Sequence, residues 1–320
     1  MVSLIVVPYA KVETALAQAK DEFREQRLHN TTFHTREEIE AALPDILHLA
    51  PEEQPWILLD PWLDLIMASR RLDNKDVHVI SLPGKFLVLL FNVSSIGIRL
   101  GKISEDDAED LEVTFPTATT RGDSIEDLIK NQRYFVRLDT CSLKDALLGS
   151  GPLKDTKDMW MRLTTSERGM RGISDLRQAS IPIQMNLFPW DDTLRIELEY
   201  RVYCPPPAGK IAAISQYQWH SPWYHFREEQ NHQDIAQRLL ESCEKLHQSI
   251  INHPSMTVSL KVRGFTFDVV EDPADQKVRL VELNDFGAMS GCDACLFHWI
   301  NDAKVLYGMS EEVEFRVTVP

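Results

Sequence analysis

No stretch of this 320-residue chain is apolar for long enough to cross a bilayer; the run FLVLLFNV, residues 86–93, is far too short. The opening MVSLIVVPYA has neither a basic leader nor a long apolar core, so it does not read as a secretion signal. Cysteine is scarce and scattered: five residues, at 141, 204, 243, 292 and 295, are an odd set that forms no disulfide framework. A reducing interior, the cytoplasm, is the expected home. Positive charge is also in deficit, with 34 basic against 49 acidic residues and a formal charge of −15, which argues against nucleic acid as a partner. No GxxxxGK[ST] is present, which excludes a P-loop, and neither HExxH nor GxSxG occurs.

What remains describes a globular protein: 43% of residues are hydrophobic and the length suits two lobes. The spacing predicts helices over residues 11–28, 35–43 and 61–72, the second opened by a capping box of Thr35 and Glu38. From Val77 the pattern turns to two apolar runs broken by Pro83 and Gly84, followed by the acidic segment SEDDAEDLE, read as a solvated loop. SIEDLIKNQRYFVRLD reads as a short helix leading into a strand. Further strands are expected in PIQMNLFPW, LRIELEYRVYC and KIAAISQYQW, and a long amphipathic helix over residues 231–253, packed behind the sheet.

The chemistry gathers in GFTFDVVEDPADQKVRLVELN, residues 264–284, which reads as strand, polar turn, strand. Glu282 and Asn284 are two apart and share one face of the second strand. Antiparallel pairing around residues 271–277 brings Asp268 opposite Glu282 on the same side. Two facing acids repel unless a cation, a proton or an arginine stands between them. The three oxygen-bearing groups therefore suit a hard cation such as Mg²⁺, with an edge strand or an ion-paired cluster involving Arg201 or Arg279 as the alternatives.

Two other patterns carry less. Cys292, Cys295 and His298 form a C-x₂-C-x₂-H string without a second ligand pair; on a helix after Gly287 they would share one face and pack as core. The aromatic stretch QYQWHSPWYHF closes a domain core or offers a partner surface.

VELNDFG, FTFDVV, EYRVY, AISQY and YFVRLDTCSLKDA, in this order and spacing, resemble the cell division cycle protein 123 family, a divergent branch of the ATP-grasp fold. The similarity runs from about residue 76 to about residue 308, with ISLPGKFLVLLF similar to the family's amino-terminal region. It implies an α+β, two-lobed ATP-grasp-like architecture with antiparallel sheets and packed helices. Residues 1–115 would form a helical start and amino-terminal lobe, 116–190 one ATP-grasp subdomain, and 191–320 the subdomain carrying the hairpin.

The resemblance also implies a Mg-ATP cleft. Asp268, Glu282 and Asn284 match its metal-binding positions, with Glu282 where Asp is usual. Arg137 and Arg201 match basic residues near the phosphates, Ser142 and Lys144 lie in the loop after Arg137, and NLFPW, residues 186–190 with Phe188, is similar to the segment whose backbone meets adenine. Leu143 stands where relatives tend to have Pro, and the segment after Gly287 is longer than the family pattern. The implied function is an ATP-binding chaperone that binds the gamma subunit of translation initiation factor 2. The alternatives are an ATP-grasp ligase, activating a carboxylate or joining RNA ends, and a scaffold that no longer binds nucleotide.

Overall fold

The computed structural model describes residues 2–20, 28–42, 57–227 and 231–320. Along the chain run β1 (Val2–Pro8), α1 (Tyr9–Lys20), α2 (Arg36–Ala42), α3 (Leu63–Arg70), β2 (His78–Ser81), α4 (Gly84–Leu100), α5 (Glu105–Thr114), α6 (Ile125–Asn131) and β3 (Tyr134–Leu138). They are followed by α7 (Thr156–Thr165), α8 (Glu167–Gln178), β4 (Gln184–Pro189), β5 (Glu199–Cys204), β6 (Ala213–Gln216) and α9 (His232–Ile251). Then come α10 (Val258–Arg263), β7 (Phe265–Asp272), β8 (Lys277–Asp285), α11 (Ala303–Leu306) and β9 (Val313–Val319).

The chain folds as two compact units, residues 1–57, 61–70 and 192–320 forming one and residues 58–60 and 71–191 the other. This division does not follow three consecutive segments, because β1 pairs with β9 and so carries the start of the chain into the unit built from its end. The first unit holds a six-stranded sheet in the order β1-β9-β6-β5-β7-β8. The sheet is mixed rather than antiparallel throughout: β9 runs parallel to both β1 and β6. On one face α9 packs, with His247 stacked against Phe265 and Phe267. The segment 286–302 lies over the other face, and residues 30–34 are tied to it by backbone bonds such as Asn30 N–H to Phe297 O, 2.9 Å, and His34 N–H to Ala288 O, 2.8 Å.

β8 is the sheet's outer strand, and its open edge is covered rather than left to solvent. The Leu280 N–H donates to Ser69 Oγ at 2.9 Å, and Arg70 Nε donates to the Leu280 carbonyl at 2.9 Å, both partners supplied by α3. The capping box forms at α2: Glu38 N–H donates to Thr35 Oγ1 at 3.2 Å, and Thr35 N–H to Glu38 Oε2 at 2.7 Å. The helix expected over 11–28 is α1 as far as Lys20; residues 21–27 and Leu43 lie outside the described residues.

The second unit holds the antiparallel sheet β2-β4-β3. Ile80, Val136, Leu138, Met185 and Leu187 line its core face, packed with Phe86 and Leu90 of α4, Trp160 and Leu163 of α7, and Ile173 of α8. SEDDAEDLE is not a loop but the body of α5. Ser104 caps it by accepting from the Asp107 N–H at 3.1 Å, and Glu105, Asp106 and Asp107 sit in its first turn, where the helix dipole favours negative charge. Leu111 then anchors the helix to the core.

Candidate functional site

Cross-strand register builds the site. Arg201 on β5 is opposite Ser215 on β6 and Asp268 on β7, and Asp268 is opposite Glu282 on β8. Directly paired residues share a face, so these side chains form one polar row across four strands. Asn284, opposite Thr266, stands in the next row on the same face.

A register shift between Asp268 and Val269 makes this arrangement possible. Glu282 pairs with Asp268 but Leu280 with Val269, so Val281 is left over as a bulge. In a regular strand Leu280 and Glu282 would share a face; the bulge sends Leu280 into the core, fully buried, and leaves Glu282 on the polar side, half-buried.

Asp268 is fully buried and balanced by Arg201. Arg201 Nε donates to Asp268 Oδ1 and Nη2 to Oδ2, both at 2.7 Å, while Nη1 donates to the Asp293 carbonyl at 2.6 Å. Asn284 Nδ2 donates to Asp268 Oδ2 at 3.2 Å, and the guanidinium lies 5.1 Å from the centre of the Tyr217 ring. All three nitrogens of the Arg201 fork are thus held by protein acceptors. Burial lowers the Arg201 pKa, yet the Asp268 charge and hydrogen bonds outweigh it, so the net direction is well up.

Among the described residues no group of three or more His, Cys, Asp and Glu side chains forms a ready-made metal cage. Mg²⁺ does not need one, since it is commonly held by one or two carboxylates together with phosphate oxygens and water. With Asp268 offset by Arg201, the Glu282 carboxylate and the Asn284 carbonyl oxygen beside it are a donor set of that hard-oxygen kind.

Arg137, Ser142, Lys144 and Phe188 lie on the second unit. Arg137, on β3, is buried, donates through Nε to the Leu138 carbonyl at 3.3 Å, and pairs with Ser142 in an antiparallel bridge. Ser142 is half-buried and Lys144 exposed. Phe188 is buried on β4 opposite Phe135. Two residues from Arg137, the Asp139 carboxyl is raised by burial even though it accepts from the Asp60 N–H at 2.7 Å. Asn186, directly opposite Arg137, had no part in the sequence reading beyond its place in NLFPW; no local pattern marks it.

The segment carrying Cys292, Cys295 and His298 is not helical. All three side chains are buried. Burial pushes the Cys292 thiol up to about 12 and raises that of Cys295 as well, which disfavours the thiolates zinc requires. His298 Nδ1 accepts from the Ile300 and Asn301 N–H groups at 3.1 and 3.2 Å, closing a turn. The aromatic stretch also turns inward at Trp223, which is fully buried and donates from Nε1 to the Tyr200 hydroxyl at 2.9 Å.

Taken together, the molecule is a mixed α/β protein with one mixed and one antiparallel sheet. It is similar in fold to the structure of Cdc123 from Schizosaccharomyces pombe, with TM-score 0.56, 18% identity, and coverage of 82% of this chain and 95% of that one. It is likewise similar to a C-terminally truncated Cdc123 from the same organism, with TM-score 0.56 at 17% identity, over 91% of this chain and 100% of that one. No curated protein matches the sequence. The D123 family model matches residues 157–319, about half of the chain, and the chain belongs to that family, the family of Cdc123.

Proposed function

We propose that this protein binds Mg-ATP and acts as an assembly chaperone for translation initiation factor 2, engaging its gamma subunit in the cytoplasm. The observation that carries the nucleotide part is the row Arg201–Asp268–Glu282 with Asn284 beside it. Glu282 and Asn284 would hold the ion, and Asp268, fixed by Arg201, would position Asn284 through their 3.2 Å hydrogen bond. Bound Mg²⁺ supplies neutralisation of phosphate charge in a protein that is itself acidic. Arg137, Ser142, Lys144 and Phe188 are assigned to the nucleotide by the resemblance. ATP would act as a conformational ligand, through preferential affinity for one state of the protein. The chaperone part rests on family membership.

The test is titration calorimetry of ATP with and without Mg²⁺, on the protein and on Glu282→Gln and Asn284→Leu, with recovered nucleotide checked for cleavage. Magnesium-dependent binding weakened at least tenfold in both variants is expected, with ATP recovered intact. Binding indifferent to magnesium and to both substitutions would remove the hairpin from the nucleotide site, and ADP or AMP formed in the presence of an acceptor would favour the ligase. Capture of purified gamma subunit, with and without ATP, tests the partner; no complex under either condition would rule it out.

A further inference from the structure

Parallel pairing sets the starts of β6 and β9 side by side, with Ala213 opposite Glu314. The chain entering each strand, residues 209–212 and 310–312, frames a cavity of about 440 Å³ that lies wholly within the first unit. α9 closes it through Glu244, His247 and Gln248. His247 stacks on Phe265 and Phe267, which alternate along β7 with Asp268, so the cavity is on the opposite side of the sheet from the polar row. Its volume is in the range of small-molecule sites.

His247 is 2% exposed and forms part of the cavity wall. Its Nε2 is 3.0 Å from the Ala208 carbonyl, which can only accept, so Nε2 carries the proton and Nδ1 the lone pair. Nδ1 has no hydrogen-bond partner among the described residues, and burial lowers the pKa of the ring, which keeps it a neutral acceptor near pH 7. The charge around it is mainly of one sign. Glu244, three residues before His247 on α9, and Glu311 and Glu312, just ahead of β9, line the cavity and make no ion pair among the described residues. Lys210 opposes them, its Nζ turned to the Gly308 carbonyl at 2.9 Å. Gln248 is in the last turn of α9, so the negative end of the helix dipole is also close.

Three exposed glutamates alone would be an ordinary solvated face. A buried acceptor without a donor, in the wall of the cavity they share, is a different matter, because leaving it unpaired is costly. An anion would meet three carboxylates, and among the described residues no three acids, histidines or cysteines converge as a metal cage. We propose that this cavity binds a guanidinium or alkylammonium cation, with an N–H of the ligand donating to His247 Nδ1 and Glu244, Glu311 and Glu312 offsetting its charge. Such a group comes either from a free amine or from a basic side chain of another protein.

The experiment titrates the full-length protein at low salt, by calorimetry, with agmatine, with an acetylated and amidated Gly-Arg-Gly peptide, and with tetramethylammonium, a cation that has no N–H to donate. The same ligands are titrated into the triple variant Glu244→Gln, Glu311→Gln, Glu312→Gln and into His247→Phe, whose unfolding midpoints are measured alongside. Saturable agmatine binding is expected, weaker by about tenfold or more in the triple variant and by a similar factor in His247→Phe. Tetramethylammonium should bind less tightly than agmatine and be indifferent to His247→Phe. The peptide binding as tightly as agmatine would assign the cation to a side chain of another protein, and agmatine binding alone would assign it to a free amine. No saturable binding of either at millimolar concentration overturns the proposal, as does agmatine binding undiminished in the folded triple variant. Tetramethylammonium bound as tightly as agmatine overturns the part given to His247. The three glutamates are exposed, so the triple variant decides the matter even where His247→Phe fails to fold.

Discussion

Arg201 and Asp268 face each other across β5 and β7 with two parallel hydrogen bonds of 2.7 Å, one from Nε and one from Nη2, and both side chains are buried. Removing one partner strands the other charge in a dry interior. Arg201→Met and Asp268→Leu are each expected to destabilise the protein by about 3–5 kcal/mol, whereas the double variant should recover most of the loss, because a buried pair replaced by apolar groups is often near neutral. Urea denaturation of the three variants checks this; a double variant as unstable as the sum of the singles would show that Arg201 has structural work beyond Asp268, such as its bond to Asp293 O.

Gly97 lies within α4, where exchange for Ala would ordinarily gain about 1 kcal/mol of helix propensity. Here a Cβ would run into the main-chain oxygen of Thr164 on α7, an atom that cannot swing aside as a flexible side chain would. Overpacking therefore wins, and Gly97→Ala should lower stability by about 1–3 kcal/mol. A thermal unfolding midpoint at or above the parent's would mean that α4 and α7 separate at little cost.

His247, on the inner face of α9, has its pKa lowered by burial, only partly restored by its 3.0 Å hydrogen bond to the Ala208 carbonyl. The unfolded chain protonates this ring as pH falls through about 6.5, while the folded protein resists, so the stability His247 contributes is present above that range and lost below it. Between about pH 7 and pH 5 the stability advantage of the parent over His247→Gln should shrink, as read by urea unfolding across the range. A gap independent of pH would show that the ring titrates alike in both states.

Much of the hairpin was legible because its signals are local. A polar turn fixes the register, and the register alone brings Asp268 opposite Glu282. The ion pair with Arg201 was one of the readings the residues allowed, but its bidentate geometry depends on β5, more than sixty residues away in sequence, and no spacing rule encodes that. VSLIVVP gave no hint of its partner, since parallel pairing with Val313–Val319 leaves no turn between the strands to read. α5 was missed for a different reason: acidic composition outweighed the Ser104 cap and the lone inward anchor Leu111. Asn186 carried no signal because its anomaly is a buried amide without a hydrogen-bond partner, and only burial reveals that.

The placement of β9 has a consequence for the order of events during synthesis. Among the described residues it is the strand that joins β1 to β6, so residues 2–8 have no sheet neighbour until residues 313–319 exist. While the ribosome makes everything between, a strand rich in valine and isoleucine waits with its backbone unpaired, the kind of exposed edge that invites association with other chains. Closure of the sheet is therefore a late, long-range step, and a nascent chain stopped short of residue 313 would carry the strand but not the seat it needs.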